Sequence, residues 1–151
     1  MALPRRSIRQ QLLFEHEVLR ALLGRLADLA ERTRRGEPAV QELRDAVRSL
    51  CAVLEVHVEQ EERALARFFA RHGPQRLQEL RNDHRKALET LRRLRARPPE
   101  NAAAGCRRLV PVLMAAIERE GRDILAADLW KPHAVRRTRG NGGGHPARSN
   151  P

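Results

Sequence analysis

The sequence repeats one hydrophobic pattern in four segments. In each segment apolar residues recur at alternating steps of three and four, the spacing that places side chains along one face of an α-helix. The first segment carries Ile8, Leu12, Leu19, Leu23, Leu26 and Ala30, and the second carries Val40, Leu43, Val47, Leu50, Leu54, Leu65 and Phe68. The pattern predicts four amphipathic helices that pack through their apolar faces.

Glycine and proline residues separate these segments, at Gly36, Pro38, Gly73-Pro74 and Pro98-Pro99. Such residues end helices or occupy their first turn. We expect helices at about residues 7–35, 39–72 and 74–97. A fourth should start between residues 101 and 107 and end near residue 130, with a kink or a late start at Pro111. Short connections between four helices favour an all-α, up-down-up-down antiparallel four-helix bundle.

The composition agrees with a helical bundle, since aromatic residues make up only 3% of the chain. The sequence shows no long apolar run and no apolar core of a signal peptide, so we expect a cytoplasmic protein without a membrane partner. No Ser/His/Asp arrangement, glycine-rich phosphate loop or array of stacking aromatic residues argues for a hydrolase, a nucleotide-binding protein or a sequence-specific RNA-binding protein. Cys51 and Cys106 lack the spacing of a zinc site and predict buried thiols in a reducing compartment.

The net charge of +11 is concentrated at the two ends of the chain. Residues 131–151 contain five basic residues and no acid, and residues 1–10 contain three basic residues. We expect a flexible N-terminus at residues 1–6, the bundle at residues 7–130, and a disordered basic tail at residues 131–151. Such a tail could bind nucleic acid or another polyanion weakly. The sequence does not predict an oligomeric state.

Five ionisable residues interrupt the apolar faces, namely His16, His57, Glu61, His84 and Glu120. An unpaired carboxylate in a core costs several kcal/mol, so each of these groups needs a partner. Antiparallel helices of equal rise meet at equal distances from their shared turn. His16 and His57 lie 21 and 20 residues from the first turn, Glu61 and His84 lie 12 and 11 residues from the second, and His84 and Glu120 lie 16 and 20 residues from the third. We therefore expect all five in one layer of the bundle.

Imidazole and carboxylate ligands on facing helices suit iron, manganese or zinc. The alternative is a metal-free network of histidine and glutamate side chains that holds the core in register. That network would have to satisfy each of the five buried groups by itself. The sequence therefore favours a metal site in this layer.

The order and spacing of these residues resemble a known family. The chain carries Phe-Glu-His16 on the first helix, His57-x-x-x-Glu61 on the second, Asp83-His84 on the third and Glu120 on the fourth. Over about residues 7–130 this pattern is similar to the hemerythrin-like, or HHE, cation-binding domain. The resemblance implies two non-haem irons bridged by Glu61 and Glu120, with His16 and His57 capping one iron and His84 the other.

Two positions depart from that family pattern. Ala116 stands four residues before Glu120, where the family has a histidine, and Leu88 stands where the oxygen carriers have a second histidine on the third helix. We therefore expect a reduced site with one or two non-haem irons per chain. The resemblance implies binding or sensing of oxygen, peroxide, nitric oxide or iron. The alternatives are an iron enzyme that decomposes peroxide and a metal-free relic that acts as an interaction module.

Overall fold

The computed structural model describes residues 7–126 and residue 130. Four α-helices make up this part of the chain: α1 (Ile8–Arg34), α2 (Val40–His72), α3 (Pro74–Ala96) and α4 (Pro99–Asp123). The described residues contain no β-strand. α1 packs against α2 and α4, and α2 packs against α3. The predicted all-α four-helix bundle is confirmed.

Local sequence signals explain several of the helix ends. The Ser7 side chain accepts a hydrogen bond of 3.2 Å from the backbone N–H of Gln10, and the Gln10 side chain accepts one of 3.0 Å from the backbone N–H of Ser7. This reciprocal capping satisfies two backbone donors at the start of α1. Gly73 ends α2 with a φ of 130°, which glycine adopts readily because it has no Cβ, and Pro74 then opens α3.

The fourth helix differs from the prediction at both ends. α4 begins at Pro99 rather than between residues 101 and 107, because proline fits the first turn of a helix, where its missing N–H is not needed. It continues through Pro111 and ends at Asp123 instead of near residue 130. The carbonyl groups of Ile124 and Leu125, which a longer helix would use, accept hydrogen bonds from Trp130 Nε1 at 2.8 Å and from Arg9 Nε at 2.6 Å.

The core consists of two apolar clusters on either side of the ionisable layer. The larger cluster joins all four helices and includes Leu19, Leu54, Leu91 and Ile117. The smaller cluster contains Leu65, Phe69 and Leu80, with Phe68, Leu77, Ile124 and Trp130 packed against it. Glu61 on α2, His84 on α3 and Glu120 on α4 fall between the two clusters in sequence. The predicted apolar face fails at its N-terminal end, where Ile8 is 55% exposed.

No helix in the described part of the chain is long and apolar enough to cross a membrane. Residues 1–6 and 131–151 lie outside the described residues. The predictions of a flexible N-terminus and of a disordered tail that binds polyanions concern these two segments.

Candidate metal centre

The structure brings all five predicted side chains into one layer in the bundle interior. His16 and Glu61 are fully buried, His57 and His84 are nearly so, and the Glu120 side chain is 13% exposed. Each histidine places Nε2 at 3.2–3.6 Å from a carboxylate oxygen of Glu61 or Glu120. All four helices contribute at least one of the five residues, so the layer forms only when the whole bundle is assembled.

The two carboxylates lie between histidines on opposite sides of the layer. Glu61 Oε1 is 3.6 Å from His16 Nε2, and Glu61 Oε2 is 3.2 Å from His84 Nε2. Glu120 repeats this arrangement, with Oε2 3.4 Å from His16 Nε2 and Oε1 3.6 Å from His84 Nε2. The His57 ring lies beside that of His16, with 4.9 Å between the ring centroids. Each carboxylate therefore spans the two sides through its two oxygens.

Two further carboxylates orient two of the histidine rings. His57 Nδ1 donates a hydrogen bond of 2.8 Å to Glu15, and His84 Nδ1 donates one of 2.9 Å to Glu62. These bonds leave Nε2 of each ring directed at Glu61, at 3.5 Å for His57 and 3.2 Å for His84. Histidines that bind metals usually donate their other ring N–H to a carboxylate or carbonyl, which fixes the tautomer and the ring direction.

Glu15 and Glu62 were not predicted from the sequence. A signal for them exists, because Glu15 directly precedes His16 and Glu62 directly follows Glu61. Each is therefore at the edge of the apolar face, in reach of a histidine on the neighbouring helix. An acidic residue beside a predicted ligand is too common on helix surfaces to identify such a pair without the structure.

The carboxylates control the protonation of the histidines. Burial lowers the pKa of His16, but the carboxylates of Glu120 and Glu61 outweigh this effect and raise the pKa to about 9. The same balance raises the pKa of His84 to about 10. Burial alone would raise the pKa of Glu61 and of Glu120, yet the surrounding histidines hold both below their ordinary value. Positive charge is therefore favoured in this layer.

The donor atoms of the layer also fit a bound cation. Four atoms, namely Nδ1 and Nε2 of His16 and both carboxylate oxygens of Glu61, are buried without a hydrogen-bond partner among the described residues. Three of them, His16 Nε2 and the two Glu61 oxygens, lie 3.2–3.6 Å from an imidazole or carboxylate atom of the layer without forming a hydrogen bond. A buried polar group without a hydrogen bond costs about 1–3 kcal/mol. His16, His57, Glu61 and Glu120 each offer one ligand atom, and these atoms lie within 4.8 Å of one another. The residues present therefore fit one metal ion on this side, with His84 on the other.

These features define a class of protein, the four-helix bundles that could hold a metal ion between histidine and carboxylate side chains. The family model described as the hemerythrin HHE cation binding domain matches residues 7–127, and the chain belongs to that family. The resemblance inferred from the sequence is therefore confirmed. Neither the curated proteins nor the solved structures include a significant match to the chain.

Proposed function

We propose that the chain is a non-haem iron protein with a reduced hemerythrin-type site. The observation that carries this proposal is the set of buried donor atoms on His16 and Glu61 that make no hydrogen bond, enclosed by the imidazoles of His57 and His84 and by a second carboxylate. Imidazole with carboxylate suits iron, manganese or zinc, and membership of the family favours iron among them. A buried centre of this kind is costly unless protons on the histidines or a metal ion balance the two carboxylates.

The two sides of the layer would differ in their capacity for metal. His16, His57, Glu61 and Glu120 supply two histidines and two carboxylates, the donors of a non-haem iron site that keeps positions open for a small ligand. The other side offers His84 and the second oxygens of the carboxylates. Ala116 and Leu88 carry no donor atom there. We therefore propose one firmly held iron per chain, with a second held weakly at most.

The role proposed for the protein is to bind or sense oxygen, peroxide or nitric oxide at its iron, or to sense iron itself. Bound iron would supply an open coordination position, while Glu15 and Glu62 keep the histidine rings in place. We also propose that the protein acts in the cytoplasm, where its two free, buried thiols Cys51 and Cys106 would stay reduced.

Metal content tests this proposal directly. We expect protein produced in iron-supplemented medium to contain about one iron per chain. His57→Ala should lose most of it, because removing even a hydrogen-bond partner of a ligand typically costs about 10–100-fold in affinity, and His57 would be a ligand itself. His72→Ala is the matched control, since His72 ends α2, 11 residues after Glu61. Equal iron in both variants would overturn the site assignment. Zinc or manganese bound in preference to iron would overturn the choice of metal.

A further inference from the structure

The helices α3 and α4 are close together near their shared turn and farther apart at the ionisable layer. Near their shared turn, a Cβ added to Gly105 would overlap the side chain of Leu94. Farther along the same two helices, at the level of the ionisable layer, a cleft of about 320 Å³ opens. It is lined by residues of α3 and α4 that include Leu80, Asp83, Ala116 and Glu120.

This cleft leads to the metal centre. Glu120 lines it and is the most exposed of the five layer residues, whereas His16 and Glu61 are fully buried. Ala116 lines both this cleft and a smaller enclosed cavity of about 40 Å³, which His84 also lines. On α4 it is therefore the Ala116 side chain, which ends at Cβ, that borders both the solvent-facing cleft and the space beside His84, and on α3 it is Asp83.

A second surface groove reaches the layer but does not reach its donor atoms. This groove, of about 440 Å³, lies between α1 and α2, and its surface is mainly apolar, with Glu15 and His57 at its inner side. Glu15 accepts the Nδ1 hydrogen bond of His57 there. The His57 ring therefore stands between the groove and its own Nε2, which points to Glu61.

The charge of the α3–α4 cleft favours cations. Its lining contains the carboxylates of Glu79, Asp83, Asp123 and Glu120 against the guanidinium groups of Arg76 and Arg119. The carboxylates outnumber the guanidinium groups by four to two, and an excess of one sign of charge in a cleft raises the local concentration of the opposite ion and its rate of entry. The α1–α2 groove contains one carboxylate, that of Glu15, which is already hydrogen-bonded to His57, so the groove attracts a hydrated cation less.

We propose that the α3–α4 cleft is the entrance through which a hydrated divalent cation reaches the centre and leaves it, with Ala116 setting the width of the opening. The inference rests on the proposed metal site and adds the route and the residue that controls it. A residue at the opening changes how fast the ion moves in both directions. It leaves the affinity nearly unchanged, because the ligands are the same before and after.

Matched substitutions test the route. We expect Ala116→Leu to slow iron(II) uptake by the metal-free protein, and iron release to an excess of chelator, by roughly tenfold each, a barrier about 1.4 kcal/mol higher. Ala52→Leu makes the same change in the α1–α2 groove and should leave both rates as in the wild type. If wild-type protein binds no iron(II), the proposed function fails. If it binds iron and Ala116→Leu exchanges it as fast as the wild type, the entrance alone is overturned.

A second pair of variants covers the case in which Ala116→Leu does not fold. Asp123→Asn removes an exposed carboxylate at the cleft, and Asp45→Asn removes an equally exposed one on α2. We expect Asp123→Asn to slow uptake severalfold at low salt and to weaken its dependence on ionic strength, because steering by charge is screened by salt. Asp45→Asn should do neither. Equal uptake rates in both variants would contradict an entrance at this cleft.

Discussion

Metal binding at this centre should compete with protons, and the competition determines how affinity depends on pH. Burial lowers the pKa of His16 and of His84, but Glu120 and Glu61 raise them to about 9 and about 10. Both rings therefore hold a proton at neutral pH in the metal-free protein. A histidine that binds metal must be neutral, and a cation in the layer repels the proton on its neighbour. We expect about two protons to be released per metal ion bound near pH 7.

Because of these protons, the stability of the metal-free protein and its affinity for metal should change in opposite directions with pH. In the unfolded chain the two histidines titrate near the ordinary value of 6.5. The stability that their protonated forms contribute is therefore complete below about pH 6.5 and is lost as the pH rises through 9 and 10. For His16 alone this contribution is roughly 3 kcal/mol. Metal-free protein should lose stability over this range, whereas metal affinity should rise by about two decades per pH unit up to about pH 9.

Two measurements check this reasoning. A pH indicator in weak buffer reports the protons released as iron(II) is added without oxygen, and denaturant unfolding of metal-free protein reports its stability between about pH 6 and pH 9. His57→Ala serves as a control for the first measurement, since a variant that takes up no metal should release no protons. Metal binding with no proton release would refute the argument, because it would mean that His16 and His84 are already neutral in the metal-free layer.

Three further outcomes follow from particular contacts. Glu15→Ala should weaken iron affinity by about 10–100-fold through the freed ring of His57, while the exposed Glu17→Ala should leave the affinity unchanged, both measured by chelator competition. Ala116→His should raise the iron content toward two per chain. It should destabilise the metal-free protein only by the low end of about 1–3 kcal/mol, because Ala116 faces open space. An unchanged metal content would show that the His84 side of the layer is closed to a second iron. Deleting residues 131–151 should lower the affinity for non-specific DNA and make that affinity less dependent on salt. A full chain that binds no DNA at low salt would contradict this role of the tail.

The sequence predicts the ends of three helices well because the responsible signals are local. Ser7 caps α1 through a residue three positions away, and Gly73 with Pro74 separates α2 from α3 through its own backbone. The end of α4 was predicted wrongly because it depends on distant residues. Arg9 at the start of α1 and Trp130 beyond the helix take the carbonyl groups that further turns would need, and neither contact follows from helix spacing.

The convergence of the five layer residues could be predicted from residue numbers, since helices rise by a constant amount per residue. What the sequence could not supply are the directions of the rings and the distances between the helices. Glu15 and Glu62 act through side-chain orientation, and the α3–α4 cleft depends on how far two helices diverge beyond Gly105. Helix spacing determines the level of a residue along the bundle, but it does not determine the separation of the helices at that level.

The effect of the polar layer on the stability of the metal-free protein distinguishes a metal protein from an interaction module that works without metal. Replacing a buried ionic group by apolar residues of similar volume is often neutral or stabilising, whereas removing one partner leaves an uncompensated charge and costs about 3–5 kcal/mol. We expect Glu61→Ala to destabilise the metal-free protein by that amount, because His16, His57 and His84 all face Glu61. A combined replacement of Glu61, Glu120 and the three histidines by leucine or methionine should instead fold at least as stably as the metal-free wild type. Chemical denaturation compares the three proteins. A combined variant less stable by several kcal/mol would show that the network itself holds the bundle together, which is the property expected of a module that works without metal.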